Sequence, residues 1–267
     1  MKRLGVLTLA GAFASPACTV GPDYTKPVVT TPDAWYDAHV RGIDEGSAPV
    51  QTWWTVFDDP LLSELIHEAE ESNKDLQGAY FRILEARAIR GVAVGDKYPQ
   101  VDVTAEASTV DPSESATGLT ERSDLFSFGG GLAWEIDLFG RIRRNVEAAT
   151  AQYEASVEDY RDVLVILMGE VARSYVSVRT TQAQLIYARS NITAQRESLK
   201  ITEARFDAGL TSALDVAQAE SNLGRSEAQV PALEAELEAT LNRLEVLVGR
   251  QPGELHARLG EVQPIPD

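Results

Sequence analysis

Hydrophobic side chains in the second half of the chain recur every seven residues. One series has eight consecutive apolar members: Val157, Leu164, Val171, Val178, Leu185, Ile192, Leu199 and Phe206. A heptad repeat kept over this length is typical of a coiled coil rather than of a globular helix. Residues 141–208 would therefore form one helix of about 100 Å, at a rise of about 1.5 Å per residue.

A second heptad series follows a short break at residues 207–212. Its members are Val216, Leu223, Val230, Leu237 and Leu244. Pro231 lies inside this series and removes one backbone hydrogen bond, so a local kink is expected there. Together the two series predict a long antiparallel coiled-coil hairpin of helices over residues 139–249. Its turn would then lie about 100 Å from the start of the first helix.

The hydrophobic period shortens to two residues between Pro99 and Gly140. In residues 101–108 the apolar side chains take the odd positions, and a polar loop follows at about 109–122. A second alternating run then places on one face Phe126, Phe128, Leu132, Trp134, Ile136 and Leu138. The opposite face carries Ser127, Gly129, Gly131, Glu135 and Asp137. Each run reaches the ~9–11 residues that a tilted strand needs to cross an outer membrane.

This alternation predicts a membrane-spanning β-hairpin over residues 98–138. Its lipid-facing residues would be Phe126, Phe128, Leu132, Trp134 and Ile136, and its lumen-facing residues Glu135 and Asp137. A half-buried hairpin in a soluble sheet is the alternative, but aromatic residues opposite Gly, Ser and acids suit lipid and water better. Two strands cannot close a barrel, and open sheet edges are not tolerated in lipid. The hairpin would therefore span a membrane only as part of an oligomer.

The segments that flank these elements are less periodic. Residues 18–57 are rich in Pro, Thr, Gly and Asp, which predicts an extended arm on the surface. Residues 58–97 predict two helices, the first of them capped by Asp59 with Pro60 in its first turn. Residues 250–267 form a tail that contains Pro and Gly.

Residues 1–17 have the form of an export signal. Lys2 and Arg3 precede a short apolar run over residues 4–14 that is too short to span a bilayer. The only cysteine, Cys18, follows where a bacterial lipoprotein signal would place the residue that is acylated after cleavage. Ser15 stands where the usual lipoprotein box has Leu. Cleavage near Ala14, which would leave Cys18 as a free thiol, is therefore the alternative.

Composition narrows the range of functions. The formal net charge is −17, from 24 Lys and Arg against 41 Asp and Glu, which argues against a nucleic-acid partner. The three histidines and the single cysteine have no metal-ligand spacing, and the sequence has no nucleophile elbow or phosphate loop. We therefore expect no catalytic residues, no cofactor or metal site, and no enzymatic activity.

Several local strings occur in the order found in one family of outer-membrane proteins. They lie at residues 18–27 (CTVGPDYTKP), 53–54 (WW), 57–61 (FDDPL), 98–100 (YPQ), 134–141 (WEIDLFGR), 208–210 (AGL) and 231–234 (PALE). With them the whole chain resembles the lipoprotein branch of the TolC-like outer-membrane efflux factors. A full-length member of that family contains two helix–hairpin–helix repeats in tandem. This sequence holds one repeat and ends near where the second would begin.

The resemblance implies a mainly α fold with a β-hairpin, in which three two-repeat chains build a twelve-stranded barrel on a periplasmic helical tunnel. It implies a passive exit duct for drugs or other small solutes, anchored by lipid in the bacterial outer membrane, with a large periplasmic portion that includes residues 58–97. An inner-membrane pump would drive export through a periplasmic adaptor. The adaptor would dock on the helical turn, at Arg205, Ala208, Gly209, Leu210, Thr211 and Ser212.

Other interpretations remain beside this one. A half-length chain can be a fragment, a truncated product or a protein that assembles as six copies. A periplasmic adaptor also carries a coiled-coil hairpin, but it needs flanking sandwich and barrel strands, for which residues 250–267 are too few. A non-conducting coiled-coil structural lipoprotein has no use for an amphipathic strand pair.

Overall fold

The computed structural model describes residues 19–28, 30, 50–111 and 122–266, without the side chains of residues 50 and 51. The predicted signal peptide, Cys18 and much of the predicted arm lie outside the described residues. The described elements are a 3₁₀ helix (Val50–Phe57), α1 (Pro60–Ser72), α2 (Lys74–Gly95), β1 (Gln100–Val110), β2 (Ser123–Ala133), α3 (Arg141–Asp207), α4 (Ala213–Leu247) and α5 (His256–Leu259). This mainly helical chain with one antiparallel strand pair confirms the predicted fold class. None of the described helices is both long and apolar enough to cross a membrane.

The chain divides into two compact units. The first unit holds the described part of residues 1–30 together with Phe81–Glu158, and so contains both strands and the start of α3. The second unit holds the described part of residues 31–80 and residues 159–266, and it contains the hydrophobic core.

Helix α1 begins where the sequence predicts. Asp59 accepts hydrogen bonds from the backbone N–H groups of Leu61 and Leu62 at 2.9 and 3.1 Å. Pro60 occupies the first turn, where its missing N–H leaves no donor unsatisfied. The apolar face of α1 is buried in the core of the second unit through Leu62, Leu65, Ile66 and Ala69. Each large apolar side chain buried in this way contributes about 1.5–3 kcal/mol to stability.

Helices α3 and α4 run antiparallel in the second unit. Ion pairs join residues of rising number on α3 to residues of falling number on α4: Glu170–Arg243, Arg189–Glu234 at 2.9 Å and Arg196–Glu227 at 2.7 Å. The order of these pairs confirms the predicted helical hairpin. Helix α3 has 67 residues and is about 100 Å long, and α4 continues through Pro231.

The first heptad series provides the buried seam of α3. Within it Val171, Val178, Leu185 and Ile192 are buried. Phe206, close to the end of the helix, is 44% exposed. The heptad pattern therefore marks packing in the middle of the helix and loses this meaning near the turn.

A buried arginine fastens the segment that follows α5 to α3. Arg179 is fully buried, and its Nη1 donates to Gln182 Oε1 at 3.0 Å and to the carbonyl oxygen of Glu261 at 2.7 Å. Gln182 in turn donates to the carbonyl oxygen of Leu259 at 2.6 Å. A guanidinium that is removed from water needs such partners, so the backbone of residues 259–261 is held by the same bonds that satisfy the charge.

Candidate functional site: the strand pair and the helical turn

The register of the strand pair brings the apolar positions of both runs to one face. Val101 lies opposite Leu132, Ala105 opposite Phe128, and Ala107 opposite Phe126. Directly opposed residues of antiparallel strands project to the same side of the sheet. One face is therefore apolar over most of its length, and on it the side chains of Phe126 and Phe128 are 79% and 82% exposed.

The other face of the strand pair is polar from Gln100 to Glu106, and the exposed Leu125 and Val110 lie on it towards the loop. Asp102 lies opposite Gly131, Thr104 opposite Gly129, and Glu106 opposite Ser127. A Cβ atom on Gly129 would come within 3.2 Å of the Thr104 hydroxyl, so the glycine leaves room for that side chain. A single sheet layer with one apolar and one polar face, both exposed in this chain, suits a boundary between lipid and water.

The predicted extent of the second strand is wrong. The alternation continues to Leu138, but β2 ends at Ala133, so Trp134, Glu135, Ile136 and Asp137 lie beyond it. Ala133 pairs with Gln100, the first residue of β1. The next partner would be Pro99, which has no N–H to donate, and the ladder stops there. Trp134 instead donates its indole N–H to the carbonyl oxygen of Lys97 at 3.2 Å.

Glu135 and Asp137 bind the first turn of α3 and do not lie on a strand face. Glu135 accepts two hydrogen bonds from Arg141, at 3.0 and 2.6 Å, and these lower the pKa of its carboxyl group. Asp137 accepts from the backbone N–H of Arg143 at 2.9 Å. Desolvation alone would raise the pKa of Asp137. The hydrogen bonds from the backbone N–H groups of Arg143 and Ile142 outweigh the desolvation and lower the pKa. Both carboxylates therefore anchor the start of a helix, where negative charge is favourable.

The helical turn is built from a glycine stop and a capping box. Gly209 has a φ of +74°, and the N–H of Leu210 donates to the carbonyl oxygen of Arg205 at 2.8 Å, which closes the end of α3. Ser212 caps α4 reciprocally with Asp215. Hydrogen bonds from the Thr211 hydroxyl, at 2.5 Å, and from Ser212 lower the pKa of Asp215 to about 2. The turn is thus fixed by local bonds and stays anionic at Asp215.

The structure brings the six predicted docking residues together at this turn. Arg205, Ala208, Gly209, Leu210 and Ser212 are exposed, and Thr211 is half-buried. Two exposed leucines, Leu210 at 70% and Leu214 at 75%, give the turn an apolar patch. The sequence analysis did not predict Leu214 as part of this patch. An apolar residue just before α4's heptad series, and not a member of it, could have indicated an exposed side chain. No group of three or more His, Cys, Asp or Glu side chains suited to a metal ion occurs in the described part of the chain.

Known proteins with similar sequences are outer-membrane efflux proteins and related proteins. The sequence matches the family described as outer membrane efflux protein over residues 65–250. It is 27% identical to nodulation protein T of Rhizobium leguminosarum bv. trifolii, covering 89% of this chain and 50% of the relative. It is 32% identical to the solvent efflux pump outer membrane protein SrpC of Pseudomonas putida, covering 87% and 51%. The chain spans about half the length of the curated relatives it matches.

Solved structures of outer-membrane channels superpose on this chain. The outer-membrane channel OprN superposes with a TM-score of 0.78 at 35% identity, covering 94% of this chain and 56% of that one. A CusC structure that concerns transmembrane channel formation superposes with a TM-score of 0.67 at 28% identity, covering 87% and 51%.

Proposed function

Because this chain belongs to the outer membrane efflux protein family, we propose that it forms part of the outer-membrane channel of a tripartite efflux system. The observation that carries the proposal is the direct succession of a two-faced strand pair and a long antiparallel helical hairpin. The strands would supply part of a barrel and the helices part of a periplasmic tunnel. The assembly would be a passive exit duct, and its energy would come from an inner-membrane pump through a periplasmic adaptor.

In this proposal the apolar face of the strand pair contacts lipid through Phe126, Phe128 and Leu132, and the face with Asp102 and Glu106 contacts water. An isolated pair would leave backbone groups of both edges unbonded in hydrocarbon, each at a cost of several kcal/mol. The pair therefore inserts only where further strand pairs close the barrel. A trimer closes it when each chain brings two pairs.

The helical turn is the proposed adaptor-docking tip. Ala208 and Gly209 expose backbone that a partner can approach closely, and Leu210 and Leu214 offer apolar surface. End-to-end contact with another helical hairpin needs small side chains at the point where the backbones meet. Asp215 and Arg205 would add charges that select the partner.

Cys18 is the proposed lipid anchor, which would tether the mature N-terminus to the inner leaflet of the outer membrane. Intact-mass analysis of protein purified from membranes should show added acyl chains that Cys18→Ser removes. A mature protein that begins before Cys18 and has an unmodified thiol would refute the anchor.

The two faces of the strand pair permit a matched test of the channel proposal. Phe128→Lys puts a charge on the lipid face, and Ser127→Lys puts the same charge on the water face, opposite Glu106. Cells that depend on this protein for dye export should lose outer-membrane assembly and accumulate dye with Phe128→Lys but not with Ser127→Lys. Equal effects of the two substitutions would contradict the assignment of the faces.

A further inference from the structure

A short N-terminal segment, residues 19–24, lies along the start of α3. The backbone N–H of Val20 donates to the carbonyl oxygen of Phe139 at 3.1 Å. Gly140 has a φ of +86°, and a Cβ atom there would lie 2.5 Å from the Thr19 side chain and 3.1 Å from its Cα. Both the backbone conformation and the close approach of Thr19 therefore require glycine at position 140.

Two charged side chains of α3 hold this segment. The Arg144 guanidinium donates to the carbonyl oxygens of Val20 and Gly21, at 3.3 and 2.8 Å, and to the Asp23 carboxylate at 2.9 Å. Arg144 also donates to Glu147 at 2.5 Å, and Glu147 accepts from the N–H of Tyr24 at 3.1 Å. We call Arg144 and Glu147 the arm clamp. It binds mainly backbone, so it fixes the register of the segment along the helix.

Aromatic residues flank the end of the strand pair at which Gln100 pairs with Ala133. Tyr98 precedes β1, Trp134 follows β2, and Phe139 lies next to Gly140; their side chains are 64%, 57% and 73% exposed. Aromatic girdles flank the apolar band of outer-membrane strands at the interface with water. These residues fit the level of the lipid headgroups.

We propose that the arm clamp sets the point at which the lipid anchor enters the membrane. Thr19, the residue that follows Cys18 in the sequence, lies against Gly140, which adjoins Phe139. Acyl chains on Cys18 then enter the bilayer next to the strand pair, and the clamp, not the lipid, determines their position around the barrel. The placement rests on the proposed anchor at Cys18, whereas the clamp rests on its own contacts.

The clamp makes a directional prediction about the arm. From Gly140 to Glu147 the segment follows α3 for about 10 Å, so Thr25 is held away from the bilayer surface. Release of the clamp would let Thr25 approach the lipid, because Asp23 and Tyr24 would no longer be held to α3.

Lipid quenching of a label tests this directly. Bimane on Thr25→Cys reacts at one site only, since Cys18 is the sole native cysteine and acylation blocks its thiol. The lipidated chain, in its assembled oligomer, is reconstituted in vesicles of phosphatidylethanolamine and phosphatidylglycerol with brominated acyl chains. We expect weak quenching in the parent and at least a twofold increase with Arg144→Ala. Arg143→Ala is the matched control, because Arg143 bonds to Asp137 and not to the described residues 19–24; it should leave the quenching unchanged.

Hydrogen exchange of the same proteins provides a second measurement. The amides of Val20 and Tyr24 should be protected in the parent and should exchange at least tenfold faster with Arg144→Ala, but not with Arg143→Ala. Exchange and quenching at parental levels in Arg144→Ala would overturn the clamp. Double labelling with bimane and a mass without acyl chains would instead overturn the anchor and the membrane placement.

Discussion

The hydroxyl of Tyr175 on α3 donates a 2.6 Å hydrogen bond to Asp59, the residue that caps α1. One carboxylate therefore both starts a helix and joins it to its neighbour in the core. The Arg179 guanidinium lies 5.1 Å from the centre of the Tyr175 ring and bonds to its hydroxyl at 3.3 Å. Burial is the main cause of a raised pKa of Tyr175, and the bond to Asp59 is the second cause. The hydroxyl therefore remains a donor throughout the physiological pH range.

Removal of the Asp59 carboxylate should destabilise the chain more than removal of a helix cap alone. A cap contributes about 1 kcal/mol and a hydrogen bond to a charged group about 1.5–3 kcal/mol, so we expect Asp59→Ala to lower the free energy of unfolding by about 2–3 kcal/mol. Urea denaturation followed by circular dichroism measures this loss. In a double-mutant cycle, Tyr175→Phe should cost much less in the Asp59→Ala background. Additive losses would show that the two groups are not coupled.

Loss of Arg179 should loosen the segment after α5. Arg179→Ala removes the buried donor of the carbonyl oxygen of Glu261 and leaves Gln182 without one partner, so we expect a loss of about 3 kcal/mol. Proteolysis within residues 259–266 should become faster. Arg173→Ala, which removes an arginine side chain that is 75% exposed on the same helix, should change stability by less than about 0.5 kcal/mol. Similar losses in both variants would contradict this account.

Stability should fall as the pH rises above the ordinary histidine pKa, because of His256. Its Nε2 lies 2.8 Å from Glu238 and its Nδ1 lies 3.5 Å from the buried carboxylate of Glu245. The bond to Glu238 is the main cause of a raised pKa of His256. Since the folded state binds the proton more tightly, the stabilisation is fully present below the ordinary histidine pKa and is lost as the pH rises through the raised one.

Unfolding of the parent and of His256→Gln at a series of pH values checks this assignment. The parent should lose stability as the pH rises from the ordinary histidine pKa of about 6.5 through the raised one. His256→Gln should lose less over that range. His67→Gln, at an exposed histidine of α1, serves as control. An unchanged pH slope in His256→Gln would exclude His256 as the cause.

The size of the residue at the helical turn should decide coupling to the adaptor. Gly209→Trp, in the assembled exporter, should abolish efflux and adaptor crosslinking and leave the yield of the oligomer unchanged. Gly209→Ala separates bulk from backbone strain: the positive φ costs about 1–2 kcal/mol for Ala, yet the tip stays small, so efflux should persist. Parental efflux and crosslinking in Gly209→Trp would reduce this segment to an ordinary turn.

Local patterns predicted the elements well because each depends on neighbours in sequence. The heptads located α3 and α4, and Asp59 with Pro60 located the start of α1. The end of β2 at Ala133 was missed because it depends on Pro99, which lies 34 residues earlier in the sequence. Pro99 would be the next partner, opposite Trp134, and it has no N–H to extend the ladder.

Long-range polar contacts were also beyond the reach of pattern analysis. Arg144 lies 124 residues from Val20, to which it donates, and Arg179 lies 82 residues from Glu261. Neither arginine interrupts a hydrophobic period in a way that marks it as a binding residue. Their roles follow only from the three-dimensional arrangement of backbone acceptors.

The orientation of the strand pair in its native outer membrane is the most direct test of the proposed channel. Single cysteines at positions 126 to 132 can be labelled one at a time, because Cys18 is the sole native cysteine and its proposed acylation would leave no competing thiol. Labels at 126, 128 and 132 should be quenched by brominated lipid, and labels at 127, 129 and 131 by a water-soluble quencher. Loss of this alternation, with all positions equally accessible to water, would contradict a membrane-spanning role for the strand pair.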